Sequence, residues 1–173
     1  MTKKIAIIST DGFEQSELLE PMKALKDAGH TTHIISIKEG KIKGWKDGKW
    51  GKALAVDHLA SEVKAKDYDA VVIPGGVMNP DKLRTDKGVI ALLKGFAKAD
   101  KPIAAICHAP WVLIDAGIAK DKKLTSYKTI KADLVNAGAK WADKKVIVDG
   151  NLITSRQPED IPAFNEAILK KLK

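Results

Sequence analysis

Residues Lys101–Gly117 read KPIAAICHAPWVLIDAG. Ile103–Ile106 is a short apolar run, as a buried parallel strand shows, and it leads straight into Cys107-His108. Ala109–Ala116 then reads as a helix. Cys107, the only cysteine of the chain, therefore stands where a strand stops and a helix starts. A helix N-terminus offers partial positive charge and unpaired N–H groups, and both favour a thiolate. A sharp strand-to-helix turn also pushes a side chain outward, as in the serine nucleophile elbow of hydrolases. His108 is adjacent and could take the thiol proton. Neighbouring side chains at such a turn usually diverge, so spacing leaves a second reading open: a small buried cysteine beside a helix-capping histidine.

The flanking chain alternates strands and helices. Lys4–Ser9 reads as a buried first strand, Thr32–Ile37 as a second and Ala70–Pro74 as a third. After the turn Thr10-Asp11-Gly12, a helix carries Leu18, Leu19, Met22, Leu25 and Ala28 at helical spacing and stops at Gly29. Pro21 predicts a kink or a new helix start. Lys41–Lys52, KIKGWKDGKWGK, reads as a hairpin turning at Asp47-Gly48, with Trp45 and Trp50 packed on a core edge or at a subunit contact, the former preferred. Further helices are expected over Asp86–Ala99, Thr129–Ala137 and Pro158–Leu172. Lys123–Tyr127 reads as a strand, and Lys145–Asp149 with Asn151–Ser155 as a hairpin. This alternation implies one domain spanning residues 1–173, a flavodoxin-like α/β/α sandwich with a mainly parallel sheet and a small β-hairpin. Ligands of such sheets bind at the carboxyl ends of the strands. The loops leaving those ends are Thr10–Glu14, Gly75–Asn79 and Cys107-His108.

Composition narrows the function classes. The chain has 173 residues and a net charge of +8, with 45 % hydrophobic residues. One cysteine excludes an internal disulfide and any cysteine-rich zinc site, and suits a reducing cytoplasm. The apolar run Ile5–Ile8 is too short for a signal peptide or membrane anchor, so a cytoplasmic protein with no membrane contact is expected. Arg84 and Arg156 are the only arginines, and the lysines are dispersed. Specific nucleic-acid recognition favours arginine forks, so no specific nucleic-acid partner is expected. No histidine set has metal-ligand spacing, and neither GxGxxG nor a phosphate loop is present.

Ala105-Ile106-Cys107-His108-Ala109-Pro110, Gly75-Gly76 after the third strand and Phe13-Glu14 after the first together resemble the PfpI family. That family comprises intracellular cysteine proteases and stress proteins of the class I glutamine amidotransferase-like superfamily, which also contains deglycases. The resemblance extends through Asn136-Ala137-Gly138-Ala139 and Val148–Pro158. It implies Cys107 as nucleophile, His108 as general acid and base, and Glu14 as the carboxyl that stabilises the thiolate. Taken alone, Glu14 reads as a surface carboxylate near a helix start. The resemblance also implies an oxyanion hole from the backbone N–H groups of Gly76 and His108. Protease members complete a triad with a neighbouring subunit's glutamate; the matching position here is Asp81, one methylene shorter, and Asp81 reads equally as a helix cap.

The expected function is a cofactor-independent cysteine enzyme acting on reactive carbonyls or carbonyl-modified proteins, of glyoxalase or deglycase type. An intracellular cysteine peptidase and a redox-sensing stress protein acting through oxidation of Cys107 are the alternatives. The family implies a dimer or higher homo-oligomer.

Overall fold

The computed structural model describes residues 1–173. The chain forms strands β1 (Lys4–Ile8) and β2 (Phe13–Glu14), helix α1 (Gln15–Asp27), and strands β3 (Thr31–Ser36), β4 (Lys41–Lys46), β5 (Lys49–Ala55), β6 (His58–Leu59) and β7 (Ala70–Ile73). Helices α2 (Met78–Leu83) and α3 (Lys87–Lys98) precede β8 (Ile103–Ile106), α4 (Pro110–Asp115), β9 (Lys123–Leu124) and α5 (Lys131–Asn136). β10 (Lys140–Trp141), the hairpin of β11 (Val146–Asp149) with β12 (Leu152–Ser155), and α6 (Ile161–Lys171) complete it.

Seven strands make the central sheet in the order β11-β12-β8-β7-β1-β3-β6, parallel except that β11 runs against β12. This is the mainly parallel α/β sandwich expected from the alternation. Strand side chains point alternately to two cores. Ala6, Ile8, Val71, Ile73, Ile103 and Ala105 face α3, α4 and α5. Ile5, Ile7, Val72, Ala104 and Ile106 face α1 and α6. β1, β7 and β8 lie side by side at the centre, so the three loops at their carboxyl ends converge.

The local differences have physical causes. α1 runs unbroken through Pro21. Pro21 lies on the buried side of the helix with Leu18 and Leu25, and that burial outweighs the lost N–H bond. The strand expected over Lys123–Tyr127 is only two residues long, because Tyr127 N–H turns away to the Cys107 carbonyl at 2.8 Å. The expected hairpin forms as β4 and β5 and joins β2 in a small second sheet. Its tryptophans correct the core-edge expectation. Trp50 is 50 % exposed, and the two rings pack edge-to-face on each other at 5.2 Å. No helix is long and apolar enough to cross a membrane.

Candidate functional site

Cys107 follows β8 directly and takes φ +66°, a left-handed conformation costly for any residue with a Cβ. Three backbone bonds hold it there. Cys107 N–H donates to Ser155 O at 3.1 Å, Cys107 O accepts from Tyr127 N at 2.8 Å, and Ala109 N–H closes the turn onto Ile106 O at 3.0 Å. Such strain persists only where the surroundings over-determine it, and it clusters at functional sites. The strained turn aims Sγ into the convergence of the three loops. Pro110 then opens α4 at a position where its missing N–H costs nothing.

Gly75-Gly76 forms the opposite wall. A Cβ on Gly75 would sit 2.5 Å from Glu17 Oε2 and 2.6 Å from Cys107 Cβ, so only glycine lets these groups meet. Gly76 has φ +75°, and a Cβ there would lie 2.5 Å from Gly12 O. Asn79, fully buried, pins this loop to the end of β1. Its Oδ1 accepts from Thr10 N at 2.7 Å and its Nδ2 donates to Pro74 O at 2.8 Å. The N–H groups of Gly76 and His108 lie near enough to the Cys107 sulfur to lower its pKa against the rise that burial causes. They are the pair expected to receive an oxyanion, and each eases the ionisation of a thiol that burial keeps protonated at rest.

The carboxyl group set against Cys107 belongs to Glu17, which corrects the expectation for Glu14. The Glu14 carboxylate accepts from Ser16 Oγ at 3.2 Å, and its residue lies in β2, beside Trp45 of the hairpin. Glu17, on the first turn of α1, is completely buried, and its Oε2 accepts from Gly75 N at 2.8 Å. Burial pushes its pKa from the ordinary 4.5 up to about 8, and the nearby negative charge of Glu14 adds to the rise. Its other oxygen, Oε1, is buried with no hydrogen-bond partner, which costs a charged carboxylate more than a neutral carboxyl group. Burial also pushes the Cys107 thiol up, and an ionised Glu17 would push it further. A protonated Glu17 removes that repulsion, and its carboxyl group lies beside the sulfur. The two groups therefore hold at least one proton between them through neutral pH.

His108 is turned toward the nucleophile rather than away from it. Its Nδ1 lies 3.2 Å from Cys107 Sγ. Burial lowers its pKa, so the ring is a neutral base. Tyr127 stacks on the imidazole with centroids 5.0 Å apart, and Trp111 packs edge-on at 5.3 Å. Nε2 meets Thr129 Oγ1 at 3.2 Å. Asp81 is exposed on the first turn of α2 and has no hydrogen bond to His108 of its own chain. No three His, Cys, Asp or Glu side chains are arranged to hold a metal ion.

The DJ-1/PfpI family model matches residues 3–171, from before β1 to the last turn of α6. The chain belongs to the DJ-1/PfpI family. General stress protein 18 of Bacillus subtilis (strain 168) is 45 % identical over 175 residues, covering 100 % of this chain and 99 % of its own. Deglycase PfpI of Pyrococcus furiosus is 39 % identical over 170 residues, covering 98 % of this chain and 99 % of its own. The crystal structure of Drosophila melanogaster DJ-1beta superposes with a TM-score of 0.90 at 34 % identity, covering 99 % of this chain and 91 % of that one.

Sequence reasoning missed two residues that the structure places beside Cys107 and His108, namely Glu17 and Thr129. Glu17 had a readable signal. It shares the buried stripe of α1 with Pro21 and Leu25, at spacings of four, and a carboxylate inside an apolar stripe needs a reason. Thr129 had none, since its role depends on where the chain turns after Tyr127.

Proposed function

We propose that the protein is a cofactor-independent cysteine enzyme that converts small reactive carbonyls, free or attached to protein amines. One observation carries the reading. Cys107 Sγ lies among a base (His108 Nδ1), two N–H donors (Gly76 and His108) and a proton-holding carboxyl (Glu17), yet Cys107 and His108 are only 7 % and 8 % exposed. So small an opening suits an aldehyde or the end of a modified side chain better than a peptide backbone. The deglycase name of the Pyrococcus furiosus relative supports the same substrate class.

With methylglyoxal the chemistry balances without an external oxidant. Sγ adds to the aldehyde carbon while the thiol proton passes to His108, and the new oxyanion meets the two N–H groups. Moving a proton from C1 to C2 turns the hemithioacetal into a lactoyl thioester. Water hydrolyses that to lactate and returns the thiol. With a carbinolamine on a protein amine, Sγ displaces the amine, which leaves with the proton held by His108. Self-association belongs to the same reading, supported by Val77, which is exposed beside Gly76 at the edge of the site.

Lactate formation from methylglyoxal by purified protein is the test. Turnover by wild type with complete loss in Cys107→Ala is expected. Absence of turnover, or equal turnover by the variant, would overturn the proposal.

A further inference from the structure

The imidazole of His108 is held at both nitrogens, and only one of the two contacts belongs to the nucleophile. Nδ1 faces Cys107 Sγ and Nε2 faces Thr129 Oγ1, each at 3.2 Å. A neutral imidazole carries one N–H, so these contacts compete to define its tautomer. If Thr129 donates to Nε2, the ring N–H sits on Nδ1 and His108 cannot accept the thiol proton. If Thr129 accepts from Nε2–H, the Nδ1 lone pair faces the thiol and His108 is a ready base.

Three details favour the second arrangement. The buried thiol holds its proton at rest and needs an acceptor, and Nδ1 is the ring atom within reach. A threonine hydroxyl keeps two lone pairs after donating elsewhere, so accepting from Nε2 leaves its own O–H free for water at its exposed position. The segment bearing Thr129 is also fixed relative to the nucleophile. Tyr127 N–H bonds the Cys107 carbonyl at 2.8 Å, the Tyr127 ring stacks on His108, and Thr129 follows in the turn Lys128–Ile130. One short stretch thus sets the backbone of Cys107, the plane of the imidazole and the group on its far nitrogen.

We propose that Thr129 is a positioning residue that accepts the Nε2–H of neutral His108 and so presents the Nδ1 lone pair to the Cys107 thiol. Within a single chain it does what a triad's third member does, where Asp81 makes no such contact. The inference rests on the carbonyl-enzyme reading of the site, but two of its readouts do not depend on turnover.

The test uses the full chain labelled with 15N-histidine and compares Thr129→Val, Thr129→Ser and Asp81→Asn. Long-range proton–nitrogen NMR reports the tautomer of His108 directly, with the other three histidines, His30, His33 and His58, as internal references. Wild type and Thr129→Ser should show Nε2–H, and Thr129→Val should populate Nδ1–H. Alkylation of Cys107 by iodoacetamide, and kcat for methylglyoxal, should fall roughly 3- to 10-fold in Thr129→Val, in keeping with one net hydrogen bond, and recover in Thr129→Ser. KM should stay within about twofold, because Thr129 acts through His108 and not on substrate. An unchanged tautomer in Thr129→Val overturns the proposal. So does failure of serine to restore it, or a tautomer that moves with Asp81→Asn and not with Thr129→Val. A protein that lacks carbonyl turnover yet shows the tautomer and alkylation changes keeps the positioning role and loses only the substrate.

Discussion

Replacing Glu17 with glutamine should make the protein more tolerant of alkaline pH. The carboxyl is buried, and its pKa stands at about 8 in the fold against an ordinary 4.5. A raised acid binds its proton more tightly when folded than when unfolded. Its effect on stability is therefore nil below about pH 4.5, grows as a penalty through the interval, and is constant above about pH 8. At ~1.4 kcal/mol per pH unit the full penalty is on the order of 5 kcal/mol, with roughly 3 kcal/mol of it already present at pH 7. Glutamine keeps an oxygen to accept from Gly75 N–H and offers an N–H toward Cys107, but it does not titrate. Urea unfolding of wild type and Glu17→Gln at half-unit steps from pH 4.5 to 8.5 measures the effect. The stability difference should change by several kcal/mol in favour of the variant as pH rises. Curves that stay parallel within about 0.5 kcal/mol would show that Glu17 ionises normally and that its burial is relieved by solvent. A second substitution at this position probes the nucleophile. Glu17→Leu takes away the carboxyl proton that could be shared with a forming thiolate, and Cys107 alkylation should slow about 10- to 100-fold, the range for one hydrogen bond to a charged group.

Two other substitutions test how the loops hold the site. Cys107→Gly should be inactive but more stable than Cys107→Ala by about 1 kcal/mol, because glycine adopts φ +66° without strain; an alanine variant of equal or greater stability in thermal unfolding would argue that the turn stores none. Asn79→Ala should lower unfolding free energy by about 3 kcal/mol and slow methylglyoxal turnover, since Thr10 N–H and Pro74 O both lose their buried partner; a loss below about 1 kcal/mol in urea titration would contradict it.

The nucleophile was legible because its signal is local. An apolar run of four residues, one cysteine and a proline-opened helix are adjacent in the chain, and the structure places them as read. The parallel sheet was legible for a related reason. Buried strands such as β1, β7 and β8 show as unbroken apolar stretches, and the helices between them are the crossovers that parallel strands need. His108 marks the boundary. Its position was readable, but its orientation toward Sγ is decided by the Tyr127 ring stacked on it, nineteen residues on by number and adjacent only because Tyr127 N–H bonds Cys107 O.

Glu14 and Glu17 show why the remainder was hidden. Both are glutamates near the start of α1, and both lie within reach of the strand-end loops. Which one meets the thiol depends on where the helix begins. α1 starts at Gln15, so Glu14 is still extended and its chain pairs with the hairpin strand β4. Glu17 is one helical turn short of Pro21, and so points at the sheet. A boundary shift of one or two residues, the ordinary ambiguity of helix ends, would exchange their environments. What fixes it lies across the sheet: Gly75, whose N–H claims the Glu17 carboxyl and whose missing side chain makes the space for it. The site's proton chemistry thus rests on a contact between residues fifty-eight positions apart, and the titration of Glu17 is where that contact can be measured.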